Sequence, residues 1–170
     1  MRGNVSDSSL IIHDWWNNAL SNRGVVARLR RSKSLLEAAM EPSTLQLARR
    51  LGAKAEELED VALISAVLAD VRIDQQGISV ARALGTPDEN PICSPLRLRR
   101  LIEAPKGVNQ LTAFRRALAL LNHQANVQDL SVSLLDWNDL RRNDARRQQW
   151  LYDYYHTDNP AEHQTRRHYQ

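Results

Sequence analysis

The chain has 170 residues, 42% of them apolar, and a formal net charge of +3; this is about one domain's worth with enough apolar side chain for a core, so general disorder is excluded. Gly and Pro number six each, too few for the many turns of a sandwich or barrel. A single cysteine, Cys93, excludes an internal disulfide and a four-cysteine zinc site and points to a reducing, cytoplasmic compartment, and no run of apolar residues reaches the roughly 18 that a membrane span needs.

Taken in chain order, the pattern is a string of helices. Asp7, Ser8 and Ser9 offer N-caps for a first helix over about 9–21, with Leu10, Ile11, Trp15 and Leu20 as apolar positions. Arg23-Gly24 breaks it, and a second helix over about 24–40 carries Val25, Val26, Leu29, Leu36 and Met40. Pro42 ends that helix. Ser43 or Thr44 caps a third, which holds Leu45, Leu47, Ala48 and Leu51 and stops at a left-handed Gly52. Residues 55–71 give the clearest helix. Glu56 and Glu57 suit its positive N-terminus, and from Val61 to Ala69 only Ser65 is polar, so burial nearly all round is expected.

Residues 78–84 read as a short helix closed by Gly85. Gly85, Pro87, Pro91 and Pro95 make 85–95 a loop and the expected boundary between two lobes, about 1–85 and 96–157. Next come a short helix with Leu96, Leu98, Leu101 and Ile102, a turn at Pro105-Lys106-Gly107, and an amphipathic helix with Leu111, Phe114, Leu118 and Leu121. Leu130, Leu134 and Leu135 mark another helix. Asp136 or Asn138 is placed to cap the last, about 138–156, and residues 158–170 read as a polar tail. The expected fold is all-α, a bundle of roughly eight to nine helices in two lobes. Its weakest point is a strand pair formed by residues 71–74 and 78–80.

The charge is unevenly spread. Residues 23–50 carry seven bases and two acids, residues 97–116 six bases and one acid, and residues 141–147 four arginines and Asp144, which leaves the rest of the chain at −10. Twenty of the 23 bases are arginine, whose planar fork matches phosphate oxygens. Arg97 and Arg100 are one helical turn apart, and Arg142 and Arg146 share a face. Arg115 and Arg116 flank an apolar stripe, so at least one points outward. Each arginine alone fits an ion-paired, solvated helix surface. Three basic helical segments in one acidic background fit phosphate-backbone binding better. With no aromatic set at strand spacing, base stacking on a sheet is not expected, nor is reading of base sequence.

No pattern calls for an enzyme, a metal or a cofactor. The five histidines form no HExxH-type pair. Asp129, Asp136 and Asp139 have a spacing that suits Mg²⁺ but suits helix capping better. Cys93 has no histidine or base cluster beside it and reads as an inert thiol. There is no GxSxG, Walker loop or GxGxxG.

Four stretches, taken in order and spacing, carry a resemblance. They are Asp14-Trp15-Trp16-Asn17-Asn18-Ala19-Leu20 with Arg23-Gly24 and Ala27-Arg28-Leu29-Arg30-Arg31; Gly77-Ile78-Ser79-Val80-Ala81-Arg82-Ala83-Leu84; Arg97-Leu98-Arg99-Arg100-Leu101-Ile102 with Phe114-Arg115-Arg116-Ala117-Leu118; and Asp136-Trp137, the arginines of 141–147, and Trp150 to Tyr155. Together they resemble the small subunit of the type I-E CRISPR surveillance complex Cascade, the CasB family, over about residues 12–155. Residues 32–76 match only as helix pattern. The resemblance implies a non-enzymatic, all-helical subunit that lies beside a second copy of itself and other Cascade subunits. There it would help hold the hybrid of guide RNA and target DNA and the displaced strand, leaving sequence recognition to base pairing. On that reading Arg97, Arg100, Arg115, Arg116, Arg141, Arg142 and Arg146 are the expected phosphate contacts. Arg28, Arg30 and Arg31 would serve nucleic acid or subunit docking, and Trp15, Trp16, Trp137 and Trp150 would anchor core or interface. Two other classes stay open: a helix-turn-helix regulator centred on the helices flanking Gly107, and a helical adaptor that binds protein only. Retention on heparin at low salt separates the latter.

Overall fold

The computed structural model describes residues 4–85 and 90–156. Residues 86–89 of the expected inter-lobe loop and the expected tail over 158–170 lie outside these. The described residues form ten α-helices, one 3₁₀ turn and a two-stranded ladder, so the fold is all-α.

Helix ends are set by local hydrogen bonds, and here sequence spacing misplaced several. Helix α1 (Val5–Leu20) begins earlier than its serines suggest, because the Asn4 side chain caps it by accepting from the Ser6 amide. Ser8 and Ser9 are buried within the helix, and the Ser9 hydroxyl donates back to Ser6 O at 2.8 Å. The single helix expected over 24–40 is two, α2 (Arg23–Arg31) and α3 (Leu35–Met40). Ser34 accepts from the Glu37 amide while the Glu37 carboxylate accepts from the Lys33 amide. This reciprocal pair starts a new helix where a continuous one would leave Ser34 mid-helix. Pro42 opens α4 (Pro42–Arg50), at a position where no amide is needed, and Glu41 rather than Ser43 or Thr44 stands at its N-cap. Gly52 closes it at φ 61°, in the left-handed region.

A 3₁₀ turn, Ala55–Glu57, leads into α5 (Leu58–Leu68). Every residue from Val61 to Ala69 is buried, as the apolar run requires. The remaining helices are α6 (Val80–Leu84), α7 (Pro95–Ile102), α8 (Val108–Leu120), α9 (Val127–Trp137) and α10 (Asn143–Tyr154). Helix α10 starts later than residue 138. The Asp139 carboxylate accepts from the Arg141 amide at 2.9 Å and pairs with Arg142, which holds 138–142 as a turn. Helix α5 is the axis of the bundle, packed by α2, α3, α4, α8 and α9; α1 lies on α9, α7 on α8, and α10 on α6 and α9.

The ladder joins β1 (Ile73–Asp74) to β2 (Gln124–Ala125), parallel, with Ile73 opposite Gln124. The strand pair named as the weak point of the helical expectation thus forms at residues 73–74, but with β2 rather than with 78–80, and Asp74 anchors it. Its carboxylate accepts from the Val127 amide at 3.0 Å, at the N-terminus of α9, and contacts His13 Nε2 at 2.9 Å. Two residues per strand thus tie α1, the end of α5 and the start of α9 together.

All four tryptophans are buried. Trp15 donates to Ser43, Trp16 to Val71 O and Trp150 to Ser133. Phe114, Trp137 and Trp150 form an edge-to-face trio with centroids 5.0–5.9 Å apart, and each such pair adds about 0.5–1.5 kcal/mol beyond its buried area. At the far end of α10 the backbone of Gly85 lies directly against the Tyr154 carbonyl, while the Tyr154 hydroxyl donates to Cys93 O.

Candidate nucleic-acid interface

The structure divides the ten arginines singled out by sequence into three kinds. Two are bound to backbone carbonyls inside the fold. Arg30 Nε donates to Ala69 O at 2.6 Å, capping the end of α5, and burial with Arg72 nearby pulls its guanidinium below the ordinary range. Arg115 is committed more fully. It donates to Ser32 O at 2.7 Å, to Leu29 O at 2.8 Å and to the Asp70 carboxylate at 3.0 Å. Burial raises the Asp70 carboxyl above the usual aspartate range, against the pull of Arg115, His123 and Arg30. Arg115 therefore points inward and Arg116 outward. Adjacent residues on a helix are turned by about 100°, and the face that packs on α2 and α5 belongs to Arg115.

Three more are ion-paired at the surface. Arg28 grips Glu41 with two bonds of 2.8 and 2.9 Å. Arg142 and Arg146 converge on Asp136, at 3.0 and 2.8 Å, and Arg142 also meets Asp139. Asp136 is nearly enclosed, so the pair of arginines supplies the compensation its charge requires. Arg142 sits at the N-cap of α10 and Arg146 in its first turn, both with part of their guanidinium surface exposed.

The last five, Arg31, Arg97, Arg100, Arg116 and Arg141, are exposed and make no ion pair among the described residues. Arg97, Arg100 and Arg116 come together. Helix α7 starts at Pro95 behind the Ser94 cap, its Leu98 and Leu101 face the core, and this rotation turns Arg97 and Arg100 toward α8. Arg116 faces them from α8. The three line an open groove of about 360 Å³, floored by Cys93, Leu101, Ala113, Ala117 and Leu120, with no carboxylate among its described lining residues. Like charges converging over a low-dielectric floor focus a positive potential outward. Arg31 and Arg141 lie outside this groove.

Arg147 was not among the expected residues. Its guanidinium sits 4.9 Å over the Trp137 ring and donates to Ile102 O at 3.1 Å. In sequence it is indistinguishable from Arg146, since its partners are on other helices.

The aspartates offer no metal centre. Asp129 accepts from the Val80 amide at 2.8 Å, Asp136 is held by arginines, and Asp139 organises the turn after α9. Among the described residues no three His, Cys, Asp or Glu side chains are grouped to hold a metal. The Cys93 thiol is buried, and burial pushes its pKa up, away from a reactive thiolate. No helix of the described residues is long and apolar enough to cross a membrane. Leu111 and Phe114 are buried on α8, as their apolar spacing predicts.

Fold and surface together define a small helical bundle with a built, anion-attracting arginine groove. The chain belongs to the family of CRISPR-associated protein Cse2, whose profile matches residues 25–155. Its fold is similar to that of CasB from Thermus thermophilus, at TM-score 0.66 and 23% identity, over 89% of this chain and 99% of that one. It is similar also to a chain in the crystal structure of E. coli Cascade bound to a PAM-containing double-stranded DNA target, at TM-score 0.63 and 20% identity, over 88% of this chain and 97% of that one. At these identities the likeness is one of fold. A search of curated proteins found no match.

Proposed function

We propose that this chain is a non-catalytic subunit of a Cascade-type surveillance complex that grips nucleic-acid backbone and so stabilises the hybrid of guide RNA and target DNA and the displaced strand. The observation that carries this reading is the α7–α8 groove, where Arg97, Arg100 and Arg116 stand without acidic partners among the described residues. Membership of the Cse2 family and the fold shared with a chain of a DNA-bound Cascade support it. Phosphates bring the charge these arginines lack, and binding releases the counterions condensed on the nucleic acid. Base pairing supplies the sequence specificity. Arg31 and Arg141 extend the exposed basic surface. Arg142 and Arg146 add to it from the start of α10, while Arg30 and Arg115 serve the fold.

Size supports a role inside an assembly. A hybrid of about 20 base pairs runs to roughly 50 Å or more, whereas a compact chain of this length has a radius of gyration of about 15 Å. One copy covers part of such a hybrid, so we propose a second copy alongside and contacts with other subunits.

The test is Arg97→Ala combined with Arg116→Ala in the assembled complex. Target-DNA affinity is expected to fall on the order of twentyfold at physiological salt, and the slope of log affinity against log salt to flatten by about 1.4–1.8. The loss is expected to be equal for unrelated targets of the same length, because no base is read. Unchanged affinity and slope in gel-shift titrations across salt would remove the phosphate role from this groove.

A further inference from the structure

We propose that the α7–α8 groove seats one unstacked nucleotide of a single strand, its phosphate on the arginines and its base on the apolar floor. This deepens the phosphate-binding reading and rests on it. Three observations point beyond simple backbone contact. First, the site has depth. Its volume of about 360 Å³ lies within the roughly 300–1,000 Å³ of small-ligand pockets, whereas a surface that only tracks phosphates needs no recess. Second, the depth is apolar. Ala113 and Ala117 are short side chains that leave room between the helices, and Leu120 closes one wall. Third, the rim is guanidinium. Arg97, Arg100 and Arg116 offer forks for a phosphate and flat faces that stack on a heterocycle.

A base held in a duplex is stacked and paired, and drawing it out costs a few kcal/mol. A base in a single strand is free of most of that cost, so the groove selects single strands over duplex. Besides the arginines, the described lining residues include no amide or hydroxyl side chain, so this floor holds any base and reads none. That is the chemistry of sequence-tolerant single-strand binding, with guanidinium and aliphatic surface in place of aromatic platforms.

The experiment is fluorescence anisotropy with the full chain and two labelled strands of about a dozen nucleotides, one of thymidine and one abasic of equal length. The unmodified protein is expected to bind the thymidine strand on the order of five- to tenfold more tightly than the abasic strand. Ala113→Leu fills the floor and is expected to bring the ratio of thymidine to abasic affinity down to about one. Thr112→Leu adds similar bulk on the exposed neighbouring position and is expected to keep it. Equal binding of both strands by the unmodified protein overturns the nucleotide seat and leaves the phosphate reading standing. That comparison needs no variant to fold. Undiminished binding of both strands by the Arg97→Ala, Arg116→Ala protein overturns both.

Discussion

Arg115→Ala is expected to lower the melting temperature by roughly 6–12 °C. One guanidinium bonds Ser32 O, Leu29 O and the Asp70 carboxylate, so its removal takes the side-chain donor from Ser32 O, leaves Leu29 O with only the Ser32 amide, and uncovers the charge of an acid that is only 14% exposed. Breaking a buried charged network from one side costs about 3 kcal/mol, and in a chain of this size each kcal/mol moves the midpoint by about 2–4 °C. Arg115→Lys restores the charge but cannot span three acceptors, and is expected to recover part of the loss. The pH dependence separates this from a packing defect. Burial raises the folded Asp70 carboxyl above its unfolded value. Between those two values the folded state holds more proton than the unfolded one, so the Asp70 contribution to stability falls as pH rises through that window. Without Arg115 the carboxyl rises further. The deficit of Arg115→Ala is therefore expected to be largest at neutral pH and to shrink on acidification, as read from urea midpoints at neutral and mildly acidic pH. A deficit that does not change with pH would show that the Asp70 charge is not what Arg115 compensates.

Gly85→Ala is expected to cost about 3 kcal/mol or more, at the upper end of overpacking effects. A methyl group at this position overlaps the Tyr154 carbonyl oxygen and stands 2.9 Å from its carbon. The obstacle is backbone, so no side chain can swing aside, and either α6 or α10 must move. Helix α10 carries Trp150 of the aromatic trio and Arg146 of the Asp136 pair, and both are expected to loosen with it. A lower melting temperature together with red-shifted tryptophan emission checks this. Gly24→Ala is the control. Its new methyl meets the flexible head of Arg28 at 3.2 Å, and the change is expected to stay within about 1 kcal/mol. Parent-like stability of Gly85→Ala would refute the close approach.

How much of this was legible in the sequence depended on the range of the interaction. Helix α5 was readable because nine successive positions are buried and eight are apolar, a pattern that needs no partner to be identified. The break between α2 and α3 was also present, as Ser34 and Glu37 at capping-box spacing, but a continuing apolar period concealed it. The late start of α10 was not visible, since it depends on which of several carboxylates turns back to the Arg141 amide. The basic segments were visible as segments. Which of their arginines are free was not, because the partners that occupy them are distant. Glu41 takes Arg28 and Asp70 takes Arg115, the latter from 45 residues away. The groove itself arises from two alanines on α8 facing two arginines on α7, a juxtaposition that exists only once α7 is laid on α8.

Helix α5 also sets how the molecule breathes. From Val61 to Ala69 no residue reaches water, so amide protons there exchange with solvent only when the surrounding helices part. The first turns of α7 and α10, by contrast, lie largely at the surface and open locally at far lower cost. Among the described residues the slowest-exchanging protons are expected in this one continuous stretch of sequence. Their exchange reports the opening of the whole bundle, whereas exchange at the basic surface reports only local fraying.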